Sequence, residues 1–326
     1  MAAAATFAAI LFLKLAAGML ADRVLGDPRR FHPLAGFGCF ASAIENLLRR
    51  EESTARMQQM RGLLAWTLAV LPWVALALWL HGLHPGAHWI VDIALLWFAL
   101  GGRSLAEHGE AVAAPLAAGD LAAARARVGW IVSRETAALD AEGVARAGTE
   151  SVLENGNDAV FGALFWFILL GGPGALLFRL ANTLDAMWGY RTPRYLHFGR
   201  AAARLDDALN WLPARLTALT YALLGDTRNA LACWRTQAAQ WDSPNAGPVM
   251  AAGAGALAVQ LGGNAIYHGR AEARPVLGCG APPDARSLRG AIRLVRRGML
   301  GWLALVGGIA LLLALAAALA GGTPHA

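Results

Sequence analysis

Several apolar runs in this sequence approach the length that crosses a lipid bilayer. The strongest lie near residues 4–21, 62–82, 87–102, 159–181, 211–224, 249–262 and 299–320. An α-helix rises about 1.5 Å per residue, so about twenty apolar residues span the hydrocarbon core. We take the first, second, third and last runs as full spans. Because 57% of the residues are hydrophobic and only 15% are charged, we predict an all-α, polytopic integral membrane helical bundle with four or more spans.

The positive charges predict the orientation of these spans. Of the 28 cationic residues, all but Lys14 are arginines, and they flank the apolar runs. Loop 22–61 is rich in arginine, whereas residues 81–88 contain none. The positive-inside rule therefore places the N-terminus of a retained first helix outside and loop 22–61 in the cytoplasm. Since orientation accounts for the net charge of +6, we predict contact with a lipid bilayer and no nucleic-acid partner.

One apolar run is interrupted by GGPG at Gly171–Gly174, and each half has only about ten residues. A full span would place the Arg-rich residues 191–215 outside, against the charge rule. Broken helices are tolerated where they line a cavity inside the protein, so we predict a broken, re-entrant hairpin. The expected organisation is a single membrane domain over residues 1–326, in which 103–158 form a cytoplasmic helical insertion carrying part of a site.

Residues 182–213 form a block of polar and charged side chains beside apolar segments. Such groups are costly near lipid and persist mainly where they bind something. Asn182 and Asp185 lie three residues apart on one predicted helix. Asp206 and Asn210 lie four apart on another, so each pair shares a helical face. Helix capping and bonding between helices would explain the same residues, but carboxylate and amide oxygens are also ligands for Mg²⁺.

A second acidic cluster lies in the sequence ESVLENGND. Glu150, Glu154 and Asp158 recur every four residues, which aligns three carboxylates on one face if the helix is continuous. A solvated acidic face would have the same pattern. The neighbouring Asn155 and the upstream Arg134 of SRET favour a binding site instead.

Other motifs carry less information. GDPRRFHP at 26–33 and SPNAG at 243–247 could meet an anion, but ordinary turns explain them as well. His81, His84 and His88 are discounted as metal ligands because a Pro-Gly pair breaks the helix that would align them. The three cysteines are widely spaced and form no CxxC pair. The GxxxxGK[ST], HExxH, GxSxG and GxGxxG motifs are absent from the sequence.

The order and spacing of these motifs resemble one protein family. The chain is similar to the adenosylcobinamide-phosphate synthase family of cobalamin biosynthesis, the CobD/CbiB family, in SRET, ESVLEN with Asp158, NTLDAMWGYR, FGRAAARLDDALNWLPARLTA, SPNAG and LGGNAIYHG. The resemblance covers about residues 10–300. The chain departs from the family pattern with DAM in place of DSM and SRET in place of SRDT, and neither change removes a carboxylate.

The resemblance implies a multi-pass enzyme of the cell inner membrane whose active site faces the cytoplasm. Its implied reaction converts adenosylcobyric acid to adenosylcobinamide or its phosphate, by attaching aminopropanol or aminopropanol phosphate to a corrin carboxylate through an amide bond. A carboxylate at neutral pH is a poor electrophile, so the resemblance also implies ATP as co-substrate and Mg²⁺, with an acyl phosphate as the preferred intermediate. Other membrane enzymes of the cobalamin pathway are candidate partners.

The candidate site residues are assigned by chemical type. We assign catalysis and proton handling to Glu150, Glu154, Asp158, Asp185, Asp206 and Asp207. We assign metal binding to Glu154, Asp158, Asp185 and Asp206. We assign substrate binding to Arg134, Asn155, Asn182, Tyr190, Arg191, Arg204, Asn210 and Asn245. Two alternatives stay open: a non-catalytic corrinoid or cobalt transport subunit, and a magnesium-dependent membrane phosphoalcohol transferase, although the DxxDGxxAR pattern of the latter is absent.

Overall fold

The computed structural model describes residues 1–28, 33–50, 53–84, 86–267 and 270–321. Its α-helices are α1 Ala2–Leu25, α2 Pro33–Leu48, α3 Ala55–Gly82, α4 Ala87–Ala99, α5 Gly102–Ala117, α6 Leu121–Val128, α7 Ala141–Gly156, α8 Gly162–Trp188, α9 Arg200–Leu224, α10 Thr227–Gln237, α11 Ala246–Leu257 and α12 Ala285–Gly321. A π-helical turn, Asn157–Phe161, joins α7 to α8, and a 3₁₀ turn, Ala238–Gln240, follows α10. The predicted all-α fold is confirmed.

Two short antiparallel strand pairs interrupt the helical fold near its C-terminal end. The strands are β1 Gln260–Gly262, β2 Ala265–Tyr267, β3 Arg270–Glu272 and β4 Val276–Gly278, with β1 paired to β4 and β2 to β3. Within the apolar run 249–262, α11 ends at Leu257, and Ala258 adopts a left-handed φ of 52°. The strands return the chain along the side of α11 before α12 begins.

Among the described residues, five helical stretches are long and apolar enough to cross a membrane. They are Ala2–Leu25, Ala55–Gly82, Ala87–Ala117, Ala141–Trp188 and Ala285–Ala320. The four predicted full spans fall in four of these five stretches. Many large apolar side chains of the stretches lie on the outer surface of the protein, for example Trp79, which is 60% exposed, and Leu312, which is 67% exposed. Such a surface is stable in lipid and not in water, so the chain is a membrane protein.

The remaining stretch, Ala141–Trp188, contains the predicted re-entrant break. At Gly171 the backbone has φ 67° and ψ −159°, which interrupts α8. Gly162 lies against the ring of Phe178, so close that a Cβ on the glycine would come within 2.1 Å of that ring. A straight helix would hold these two residues about 24 Å apart. The chain therefore reverses at Gly171, and both legs of α8 start and finish on the same side of the molecule.

A buried ion pair holds the tip of this hairpin. The backbone N–H of Gly172 donates to Asp92 Oδ1 at 2.7 Å, and Lys14 Nζ donates to Asp92 Oδ2 at 2.6 Å. Lys14 and Asp92 are 7% and 3% exposed. His88 Nδ1 also lies 2.7 Å from Lys14 Nζ. The lysine inside the first apolar run thus has a structural partner, and the nearby histidines lie beside this ion pair.

Helix α7, which lies within the predicted insertion 103–158, packs in the interior of the protein. Val152 and Leu153 are fully buried, and Gly253 of α11 packs directly against Leu153. Two groups of buried apolar residues form the interior, one around α7, α11 and α12 and the other around α2, α3 and the second leg of α8. Leu209 of α9 packs against both groups, so α9 lies along the seam where the polar residues collect.

Candidate active site

The acidic residues predicted on one helical face follow α7 into the π-helical turn. Asp140 caps α7 by accepting the backbone N–H of Gly143. α7 ends at Gly156 without a break in the helical backbone, and a Cβ at this glycine would lie 2.2 Å from the Tyr221 hydroxyl. Only glycine lets α9 approach this closely, and the chain continues through a π turn that carries Asp158. Such turns are frequent at functional sites.

Glu150 lies at the centre of the first polar cluster. This 2% exposed carboxylate pairs with Arg134 and with Arg274, whose Nη2 is 3.2 Å from Glu150 Oε2. The backbone N–H of Gly262 donates to Glu150 Oε1 at 2.7 Å. Trp241 lies under the guanidinium of Arg274, 5.2 Å from the ring centroid. Because a buried charge is stable only with partners, Glu150 fixes the strand segment and both arginines in place.

Two adjoining cavities open beside this cluster. The first, of about 410 Å³, is lined by Arg134, Glu150, Glu154 and Arg274, among others. The second, of about 440 Å³, reaches Asp27 and Arg179 and shares its wall with the first along Ile131, Val132, Ser133, Ser151 and Asn155. Together they form a groove with arginines at both ends. A groove of this size and polarity suits a large anionic ligand.

A network of amides and carboxylates lies deeper, between the π turn, the second leg of α8 and α9. Asn157 Nδ2 donates to Asn210 Oδ1 at 2.7 Å, and Asn210 Nδ2 donates to Asp206 Oδ2 at 3.1 Å. Asn182 Nδ2 donates to Asp206 Oδ1 at 3.3 Å. Thr217 completes the network by donating to Asn157 Oδ1 at 3.0 Å. The predicted convergence of Asn182, Asp206 and Asn210 is therefore observed.

The carboxylates follow one another through the interior. Glu154 lies within electrostatic range of Glu150, and Asp158 within range of Glu154 and Asp185. Burial, reinforced by the charges of Asp158 and Asp185, raises the pKa of Asp206 well above its usual value. Like charges held this close favour either a proton or a metal cation between them. Glu154 and Asp206 are thus parts of one acidic row.

Asp207 and Asn245 form a separate contact on the other side of α9. Asn245 Nδ2 donates to the backbone carbonyl of Asp207 at 2.9 Å and to its Oδ1 at 3.3 Å. Arg215 Nη1 donates to Asn245 Oδ1 at 3.0 Å. Burial raises the pKa of Asp207. The SPNAG segment, residues 243–247, therefore attaches the start of α11 to α9.

Three predicted binding residues lie outside these clusters. Tyr190 is 53% exposed, and Arg191 and Arg204 are also exposed. Arg191 is within electrostatic range of Asp207. Neither Tyr190 nor Arg204 makes a hydrogen bond or ion pair within the described part of the chain. Arg29, Arg30 and His32 of the GDPRRFHP motif lie outside the described residues.

Sequence reasoning missed several residues that the structure places in the site. Arg274 and Trp241 have no recognisable motif, and they reach Glu150 only through the fold of the strand segment. Arg179 carried a usable signal, since an arginine inside an apolar run is costly unless it is functional or paired. Its Nε is buried without a hydrogen-bond partner in the described structure. Arg179 lines the second cavity and lies within electrostatic range of Asp27 and Asp158.

The predicted magnesium ligands supply suitable atoms but no closed cage. Within the described ranges, no three His, Cys, Asp or Glu side chains are grouped closely enough to hold one ion. Mg²⁺ commonly uses one or two carboxylates together with water and substrate phosphates. The hard oxygen donors of Asp158, Asp185 and Asp206, and the raised pKa of Asp206, fit such an open site.

Fold and site together define a polytopic membrane protein with a buried, charged groove. Comparison with known proteins identifies the class further: the model of the CobD/CbiB protein family matches residues 15–295. The cobalamin biosynthesis protein CobD of Stutzerimonas stutzeri is 59% identical, covering 90% of this chain and 96% of that protein. The protein of the same description from Chromobacterium violaceum is 57% identical, covering 97% of this chain and 99% of that protein. The one from Mycobacterium tuberculosis is 42% identical, covering 86% of this chain and 89% of that protein. No solved structure matches the chain. The chain belongs to the CobD/CbiB family of cobalamin biosynthesis proteins.

Proposed function

We propose that this protein forms an amide bond between a corrin carboxylate of adenosylcobyric acid and aminopropanol or aminopropanol phosphate, with ATP as co-substrate. Membership of the CobD/CbiB family supports a role in cobalamin synthesis. The observation that carries the proposal is the groove itself, in which guanidinium groups at both ends adjoin a row of buried carboxylates. Such a groove suits an anionic substrate and a reaction that transfers both phosphate and protons.

The chemistry requires an activated carboxyl group. The corrin carboxylate oxygen attacks the terminal phosphorus of ATP, which forms an acyl phosphate and releases ADP. The amine nitrogen then attacks the acyl carbon, the C–N bond forms, the C–O bond to phosphate breaks, and phosphate leaves. The ammonium proton passes to a carboxylate of the acidic row. Arg134 and Arg274, which both pair with Glu150 beside the first cavity, would stabilise the growing negative charge.

The deeper network would orient the cation and the amine. One or two of the carboxylates of Asp158, Asp185 and Asp206, together with water and substrate phosphates, would hold Mg²⁺, which would neutralise charge on the phosphates. Asn182 and Asn210 fix the carboxylate of Asp206, since each donates to a different oxygen. Glu154, between Arg134 and Asp158, is suited to accept the proton from the amine.

We place the protein in the cell inner membrane with the groove open to the cytoplasm. The arginine distribution supports this orientation, because loop 22–61 is Arg-rich and residues 81–88 carry no Lys or Arg. The re-entrant course of α8 keeps the acidic row and the arginines on one side of the molecule. Substrates made in the cytoplasm would then reach the groove without crossing the bilayer.

Mass spectrometry tests the reaction directly. Purified protein is incubated with adenosylcobyric acid, ATP, Mg²⁺ and either aminopropanol or its phosphate, and a mass gain equal to one amide is expected with one of the amines. Omitting ATP should prevent the gain. Corrinoid binding without any mass gain from either amine would contradict the proposal and favour the non-catalytic transport subunit.

Magnesium affinity is expected to rise with pH. Asp206 must lose its proton before it can bind a cation, and its raised pKa means that the proton is still competing above the usual carboxyl range. Below that pKa, affinity should fall by about tenfold per pH unit if one proton is displaced. Calorimetric titration of Mg²⁺ across pH 5 to 8 measures the slope. Asp206→Asn should flatten it, and a flat slope in the unaltered protein would exclude this competition.

A further inference from the structure

A third cavity lies away from the groove, between the two spans at the ends of the chain. It has a volume of about 470 Å³ and is enclosed by α1, α5 and α12. Its walls are mainly apolar, with Met19, Leu300 and Leu303 among them. The volume falls within the usual range of small-molecule sites, about 300–1,000 Å³. Among its lining residues only Leu105 also lines the groove, so the two spaces are separate.

The charged residues of this cavity lie at one end of it. Arg23 is in the last turn of α1, Arg103 is in the first turn of α5, and Arg296 is one turn before Met299. Met299 and Asp22 both lie beside Gly102, whereas Phe12 lies beside Gly307. α1 and α12 are therefore antiparallel, and the cavity becomes apolar towards the deeper part of both spans.

Two of these arginines are available to a ligand. The Nε of Arg103 donates to Glu107 at 2.6 Å, and its Nη1 donates to the carbonyl of Val24 at 2.8 Å. The carboxylate of Asp22 accepts the backbone N–H of Arg103 at 3.0 Å. Arg23 and Arg296 are exposed, and neither pairs with a carboxylate in the described part of the chain. The mouth of the cavity therefore presents net positive charge.

We propose that this cavity binds an anionic phospholipid, with its phosphate at Arg23 and Arg296 and part of an acyl chain along Met19 and Leu303. A basic mouth above an apolar space between two membrane spans matches the chemistry of such a lipid. Arg23 is in the last turn of the candidate span Ala2–Leu25, and arginines at the end of a span lie at the level of the lipid headgroups. The occupant is a lipid and not a free anion, because most of the lining is apolar.

Native mass spectrometry of the delipidated full chain in detergent tests the site. Phosphatidylglycerol is expected to bind more tightly than phosphatidylcholine with the same acyl chains, and to raise the temperature of unfolding more. The double variant Arg23→Gln/Arg296→Gln should weaken phosphatidylglycerol binding by about thirtyfold, given the attraction of each arginine to an anionic membrane surface. The matched control Arg297→Gln, one residue along α12 and exposed, should bind as the unaltered protein does.

A second variant separates acyl-chain binding from charge. Ala106→Phe fills the apolar part of the cavity and leaves both arginines, so it should also abolish selective lipid binding. Its unfolding temperature without lipid verifies that it folds. Equal binding of the two lipids, or undiminished binding in the double-arginine variant, would overturn the proposal. An equal stabilisation by inorganic phosphate would also overturn it, since that result needs no acyl chain.

Discussion

Asp206→Asn is expected to abolish amide formation while the protein remains folded. The carboxylate is 7% exposed, accepts hydrogen bonds from Asn182 and Asn210, and faces Asp158 and Asp185. Asparagine keeps its volume but removes the charge that would hold a cation or a proton. A loss of at least about 100-fold in turnover is expected, the scale seen when one preorganised electrostatic contact is removed. Asp185→Asn should have a similar effect.

Stability should change in the opposite direction from activity. A carboxyl group whose pKa is raised by folding contributes stability below its unfolded pKa, and that contribution is lost as the pH rises through the folded value. Above the unfolded pKa the burial of Asp206 therefore costs folding free energy, and asparagine should leave the unfolding temperature unchanged or higher. Residues at functional sites often lower stability while they support activity.

The matched control for this prediction is Asp226→Asn. Asp226 caps α10 at the surface by accepting the N–H of Asn229, and asparagine caps helices about as well. This variant makes the same chemical change away from the groove and should retain full activity. Turnover is measured by mass spectrometry of the amide product, and unfolding by a thermal scan in detergent. Full activity in both Asp206→Asn and Asp185→Asn would disprove the assignment of the acidic row.

Gly171→Ala is expected to destabilise the protein strongly. The glycine has φ 67° and ψ −159°, a region that is essentially restricted to glycine. A Cβ there would also lie 3.0 Å from Asp92 Oδ1, the atom that accepts the N–H of Gly172. The strain and the disturbed hydrogen bond together should cost about 2 kcal/mol or more. The measurement is the unfolding temperature and the yield of monodisperse protein.

A glycine in α12 provides the comparison. Gly301 lies within the helix, and a Cβ there would meet no atom within 4 Å. Gly301→Ala should be neutral or slightly stabilising, because alanine reduces the conformational freedom of the unfolded chain. If Gly171→Ala behaves like Gly301→Ala, the reversal of α8 does not depend on this backbone conformation.

Much of the architecture follows from local sequence patterns. The lengths of the apolar runs predict four spans, and GGPG predicts the break in α8, because helix length and glycine conformation are local properties. The spacing of Glu150, Glu154 and Asp158 predicts their shared row for the same reason. The strand pairs were missed because residues 260–278 lack an extended alternation of apolar and polar side chains.

Contacts between distant segments could not be read from the sequence. Arg274 and Glu150 are separated by 124 positions, and Lys14 and Asp92 by 78. Their pairing depends on how the helices pack, and nothing in either local sequence specifies the partner. Tyr190 and Arg204 are exposed and make no polar contact in the described part of the chain, so their role in substrate binding stays a prediction.

The partners of Glu150 have a consequence for biosynthesis of the chain. Arg134 precedes this residue, but Gly262 and Arg274 emerge from the ribosome more than a hundred residues later. During that interval the carboxylate has only part of its final set of counter-charges, while the earlier spans are already entering the bilayer. The groove is thus completed late in translation, and chains truncated before Arg274 would insert in the membrane with an open, charge-unbalanced interior.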